Sequence, residues 1–219
     1  LHQSSLYVGV VISGLLAVWV GQRFGWRASF RLFGWAGMVL VVPLAWRLKG
    51  AAIVRAEAQP SVWLVAKAVA RTPAVPLLGL AFAGMVFVNN GYLTWTPTYL
   101  HERFHLSLAA AGFSSMFYHH VGSLLGVLIG GLLSDRWARS RPSIRPELQA
   151  AALLGGAPFI YWVGRGESPV AVYIALGCFG VFRGIYDSNM FASVFEVVEP
   201  RFHASGAALF ICFGFTMGA

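Results

Sequence analysis

Gly130-Gly131-Leu132-Leu133-Ser134-Asp135-Arg136-Trp137-Ala138-Arg139-Ser140-Arg141 ends a long uncharged run with an acid and then a series of arginines. The hydrophilic turn Pro142 to Glu147 follows, and then another apolar run begins. A step from hydrocarbon to arginine within a few residues is the signature of a membrane helix reaching the headgroup region. The fold follows from that reading if the rest of the chain repeats it.

It does. Of the 219 residues, 58% are apolar and 11% are charged, 25 are glycine, and the mean hydropathy is +0.68. A soluble domain carries about 25% charged residues. Scarce charge with recurrent apolar runs indicates a polytopic membrane protein. A very apolar α/β enzyme is excluded by run length, because buried strands span only about 4–8 residues. The net charge of +8 does not indicate nucleic-acid binding, since the bases sit in short intervals between apolar runs and form no basic face. Cys178 and Cys212 both lie inside apolar runs, which gives no support to a disulfide framework.

Seven apolar segments are expected. They cover about residues 5–22, 30–46, 75–100, 109–133, 148–164, 170–198 and 205–219. Asn89-Asn90-Gly91 is expected to interrupt the third and Pro97 to stop it, before a short loop His101–His105; Pro158 is expected to kink the fifth. The longest polar interval, Arg47 to Thr72, is the natural internal boundary, and within it Val62–Val69 is amphipathic and suited to the membrane surface. In lipid the backbone must be paired within a helix or a closed barrel. Barrel strands alternate in polarity over about ten residues, and nothing here alternates. The fold class is therefore all-α, a polytopic transmembrane helix bundle.

Arg47, Lys49, Arg55, Lys67, Arg71, Arg136, Arg139, Arg141, Arg145 and Arg201 fall on one side if the segments alternate, and Arg23, Arg27, Arg31, Arg103 and Arg165 on the other. The more basic side, with the 47–72 and 134–147 loops, is expected to be cytoplasmic. Trp19, Trp26, Trp46, Trp63, Trp95 and Trp137 fall near segment ends, where interfacial anchoring explains them. Gly122, Gly126 and Gly130 recur every four residues along one face of the fourth segment, a spacing that lets helix backbones approach closely. Gly177, Gly180 and Gly184 do so less regularly in the sixth.

These features resemble the major facilitator superfamily of secondary transporters. That family's loop signature is matched at Gly131, Asp135, Arg136 and Arg139, with Ala138 and Ser140 departing from its second glycine and second base. Gly25, Trp26, Arg27 and Phe30 match a second family pattern. The resemblance implies an incomplete bundle equivalent to helices five to eleven. Residues 1–48 would be the last two helices of an amino-terminal half, 49–74 a central cytoplasmic loop, and 75–219 a truncated carboxy-terminal half. The string Gly184 to Ala192 resembles organic-anion and sugar-acid carriers, and spinster-like lipid carriers are the other branch considered. Independently of the family, Asp135 at a helix end is placed to pair with Arg136 or Arg139 and to latch one conformation, or else to serve as a plain anchor and cap.

Polar groups at membrane depth cost about 2.5–3.5 kcal/mol each on insertion scales, so each needs a reason. Three sets stand near mid-segment: Asn89 and Asn90 with Tyr92; Tyr118, His119 and His120; and Arg183, Asp187 and Asn189. Arg183 and Asp187 are four apart and share a helical face. They read as an anion anchor and a protonatable coupling group, or as a self-neutralised structural pair. His119 and His120 are about 100° apart on a helix, so one of them at most is expected to face a cavity. Glu196 and Glu199 are expected to be solvated.

No catalytic, metal-ligating or phosphate-cradling motif occurs, and no cofactor, metal or nucleic acid is expected. The expected activity is alternating-access transport of a small organic solute, an organic anion or sugar acid, with a proton as partner in symport. The bilayer of a bacterial inner membrane is the expected setting. A non-transporting receptor or sensor on the same bundle is the alternative.

Overall fold

The structure is a computed structural model describing residues 2–48, 61–141 and 143–219. These residues form eight α-helices: α1 (His2–Phe24), α2 (Trp26–Leu48), α3 (Val62–Arg71), α4 (Ala74–Phe104), α5 (Leu108–Trp137), α6 (Ile144–Arg165), α7 (Pro169–Val197) and α8 (His203–Gly218). A 3₁₀ turn, Pro200–Phe202, precedes the last. No strand occurs among the described residues. Each expected apolar segment is thus a helix, and the amphipathic stretch after the boundary is the separate helix α3, capped by Ser61, whose Oγ accepts from Leu64 N at 3.3 Å. Of the expected loop 49–74, residues 49–60 lie outside the described residues.

Among the described residues, five helices are long and apolar enough to cross a membrane: α1, α2, α4, α5 and α7. α6 is not among them, because Arg145, Glu147 and Gln149 occupy its first turns and Arg165 its last, and α8 has only 16 residues.

The boundaries differ where a break was expected. α4 runs unbroken through Asn89-Asn90-Gly91 and past Pro97 to Phe104, 31 residues. In hydrocarbon no water competes for the backbone amides, so isolated weak helix formers do not open the ladder, and a proline is accommodated. At about 1.5 Å per residue the helix exceeds a bilayer's roughly 30 Å core, which lets His101, Glu102 and Arg103 ride in its last turn rather than in a loop. Termination comes at His105, the described non-glycine residue with left-handed backbone (φ 55°). Likewise Ser134 to Trp137 are the last turn of α5, with Ala138 as its cap.

The chain divides into two compact units, Ile12–Pro60 and Leu1–Val11 with Ser61–Ala219. In the first, Gly25 (φ 79°) makes the one-residue turn between α1 and α2, which puts Trp26 and Arg27 in the first turn of α2. Ser29 Oγ donates to Ala17 O across this hairpin at 3.1 Å. In the second unit α5 lies against α7, α7 against α6, and α4 against α8 and α5. Phe82 of α4 stacks on Phe210 of α8 with centroids 5.2 Å apart.

The α5–α7 contact is made by backbone. A Cβ added at Gly122 would fall on the carbonyl of Gly177, at Gly126 on that of Val181, and at Gly130 on Ser188 and Ile185. From the other side, Gly180 is seated against His119 and Ser123, and Gly184 against Ser123 and Val127. Both glycine sets therefore serve one seam. Without water to drive helices together, van der Waals contact at such short range is what associates them in lipid.

Candidate functional site

The seam fixes the polar centre of the bundle. Arg183 and Asp187 project from α7 one turn apart, and Arg183 Nε donates to Asp187 Oδ2 at 2.9 Å. Arg183 Nη1 reaches across to α4 and donates to Asn89 Oδ1 at 2.8 Å. Their side chains are 14% and 9% exposed for Arg183 and Asp187. Asn89 thus spends its amide oxygen on a cation rather than loosening its own helix. A fourth group closes the cluster from α1: the Tyr7 hydroxyl donates to the same Asp187 Oδ2, and Tyr7 is buried.

The two histidines of α5 pack beside this cluster. His119 is fully buried, its ring 4.6 Å from that of Tyr92 and 5.5 Å from that of Phe179. Its Nε2 lies 3.4 Å from Ser123 Oγ. His120 Nδ1 lies 2.7 Å from Met116 O, so that nitrogen carries the proton in its bond to the carbonyl, and its ring meets Tyr7 edge-on at 5.9 Å. Both histidines are buried: α4 and α7 cover one face of α5 and Tyr7 the next. Tyr92 Oη and His119 Nδ1 are buried without a hydrogen-bond partner. Unpaired polar atoms at this depth are costly, and here two of them adjoin the Arg183–Asp187 pair.

The other sequence candidates lie apart. Tyr118 is partly exposed and stacks on Tyr173 at 4.5 Å, away from the cluster. Asn90 is half-buried and one step round α4 from Asn89. Asn189 is fully buried, but its amide donates to Ile185 O and Ser188 Oγ of its own helix, both at 3.0 Å. Among the described residues no group of three or more His, Cys, Asp or Glu is arranged to hold a metal ion. Sequence reasoning missed Tyr7. It sits near the start of an apolar run, and its partner is 180 residues away.

At the charged end Asp135 pairs, but not with Arg136 or Arg139. Its Oδ1 lies 3.8 Å from Arg145 Nη2 in the first turn of α6, and Arg145 also pairs with Glu196 at the end of α7. The short turn after α5 folds α6 back under it, so the nearest cation comes from the next helix. Glu196 is exposed as expected and also engaged in this pair. Glu199 pairs with Arg201 at 2.7 Å, both exposed. Asp135 is 79% exposed and an exposed pair contributes about 0–1 kcal/mol. Asp135→Asn is therefore expected to change thermal stability little, and Arg145→Gln more, because it also strands Glu196; melting curves of the purified variants would rank them. Near this end a groove of about 740 Å³ between α4, α6 and α7 is lined by Gln149, Tyr186 and Ser193, each of which leaves an oxygen without a hydrogen-bond partner.

A family model for the Major Facilitator Superfamily matches residues 1–219. The chain belongs to the Major Facilitator Superfamily. Membership and the apolar helices together indicate a multi-pass integral membrane protein. It is similar to protein spinster homolog 1 of Mus musculus, 34% identical over 129 residues, covering 52% of this chain and 24% of that protein. Sugar phosphate exchanger 3 of Gallus gallus is 34% identical over 122 residues, covering 55% of this chain and 23% of that one. The citrate-proton symporter of Salmonella typhi is 22% identical over 218 residues, 95% of this chain and 48% of its own length. The chain thus spans about a quarter of the curated relatives it matches in part and about half of the last. No solved structure matches.

Proposed function

We propose that the protein containing this chain is a secondary transporter, not an enzyme, that moves a small organic anion by alternating access with a proton as co-substrate. Arg183 is the anion anchor and Asp187 the proton carrier. The observation that carries this reading is the bonding of Arg183 to both Asp187 and Asn89 at buried depth. A guanidinium held at the bundle's centre by an acid and a neutral amide can exchange either partner for a substrate carboxylate or phosphate. When a proton neutralises Asp187, Arg183 is left with net charge to offer to the incoming anion, and the site's total charge is conserved. Binding at mid-bundle and rocking of two helical halves around it is how such folds alternate access.

Tyr92 Oη and His119 Nδ1, unpartnered beside the pair, suit a substrate that carries hydroxyls as well as an anionic group. That favours sugar acids, hydroxy acids and sugar phosphates over plain alkyl carboxylates. The names of the symporter and exchanger relatives accord with this class. Residues 1–48 and 75–219 are read as parts of the two halves, with 49–74 between them on the cytoplasmic side of a plasma membrane. Asp135, Arg145 and Glu196 then tie three helix ends together in one conformation.

Uptake by the full-length protein in proteoliposomes, against a panel of sugar acids, hydroxy-di- and tricarboxylates, sugar phosphates and lipids, tests the reading. Accumulation of an anion driven by an inward proton gradient is the expected result. Asp187→Asn is expected to reduce gradient-driven accumulation at least tenfold and to flatten its pH dependence. Wild-type accumulation by Asp187→Asn at every pH would remove Asp187 from the coupling step, and absence of flux for all solutes would favour a receptor or sensor.

A further inference from the structure

Tyr7 lies outside every motif in the sequence, yet it completes the buried cluster. On α1 its neighbours Leu6 and Val8 are 52% and 41% exposed, whereas Tyr7 is 6% exposed. Its hydroxyl donates to Asp187 Oδ2, the same oxygen that accepts from Arg183 Nε. Its ring also touches that of His120. The contact therefore joins α1 to α7 through an ionisable group rather than through apolar packing.

We propose that Tyr7 is a positioning residue that couples the protonation of Asp187 to the movement of α1; this rests on the reading of Asp187 as proton carrier. The physical basis is the charge dependence of one hydrogen bond. A phenol donating to a carboxylate makes a charge-assisted bond, roughly twice as strong as the bond to a neutral acid. Protonation of Asp187 weakens its hold on Tyr7 and frees α1 to withdraw. Conversely, withdrawal of α1 takes that donor away from the buried carboxylate. Proton binding and helix position thus bias each other reciprocally, as linkage requires.

The groups facing Asp187 leave the role to Tyr7. From α7 they are Arg183 and Tyr186, and from α4 Tyr92 with Asn89 behind Arg183, while His119 and His120 of α5 lie toward Arg183. Of these Arg183 shares a helix with Asp187, so their bond survives any rigid movement of α7. The bond to Tyr7 does not.

The test uses the full-length protein in proteoliposomes with the anion found to be transported. Tyr7→Phe removes one oxygen and keeps the ring. Proton-driven accumulation is expected to fall about tenfold, more than substrate exchange without a gradient falls, and the pH profile of uptake to shift. Tyr161→Phe, an exposed tyrosine on α6, controls for loss of a phenol as such. An unchanged pH profile and unchanged accumulation in Tyr7→Phe would overturn the proposal, and if Asp187→Asn is uncoupled in the same preparation the transport reading itself stands. Equal loss of exchange and accumulation would also overturn it, since Tyr7 would then serve substrate binding or folding. Coupled transport that survives Asp187→Asn would instead defeat the underlying assignment.

Discussion

Arg183→Gln is expected to destabilise the bundle by about 3–5 kcal/mol, the cost of stranding a buried charge, and Arg183→Gln with Asp187→Asn to recover most of that loss. The asymmetry follows from where the two groups lie. With side chains only 14% and 9% exposed, neither ion has enough water to survive alone. Asp187 would keep only the Tyr7 hydroxyl as a donor among the contacts seen here. Neutralising both removes the demand for a counter-charge and leaves two amides that can bond each other one turn apart. Thermal melts of the full-length single and double variants in detergent measure this directly. Equal instability of the single and double variants would show that the two residues are not energetically coupled. Function should separate from folding here: the double variant is expected to be folded but unable to accumulate an anion, because the guanidinium anchor is gone.

How much of this was legible beforehand depends on the range of the interaction. The helices could be read from hydrocarbon runs because in lipid each helix satisfies its own backbone. The Arg183–Asp187 pair could be read from i, i+4 spacing, and Gly122–Gly126–Gly130 from their shared face. What could not be read were contacts between distant helices. Asn89 announces a polar need but not that Arg183 fills it, and Tyr7 announces nothing, since a tyrosine near a segment end already has an interfacial explanation. The local rules also misled at Asn89-Asn90-Gly91 and Pro97. Those residues break helices in water, where solvent offers the backbone another partner, and α4 has no such alternative. Asp135 was assigned its nearest cations in sequence, whereas the turn after α5 brings Arg145 beneath it.

Gly126→Ala is expected to cost at least the 1–3 kcal/mol or so typical of overpacking, while Gly112→Ala on the same helix should be neutral or slightly stabilising. A methyl at Gly112 meets nothing within 4 Å. One at Gly126 meets the Val181 carbonyl and the Gly184 backbone. Backbone atoms cannot turn aside as a side chain can, so α5 and α7 must separate. The consequence reaches the site, because Arg183 stands next to Gly184 and its bond to Asn89 is 2.8 Å long. A separation of even 1 Å moves α7 relative to α4 by enough to stretch that bond past useful length. Transport by Gly126→Ala should therefore fall further than its folded fraction does, which flux normalised to folded protein in the same vesicles would reveal. If Gly126→Ala were as stable and as active as Gly112→Ala, the close backbone seam would not be what holds the site together.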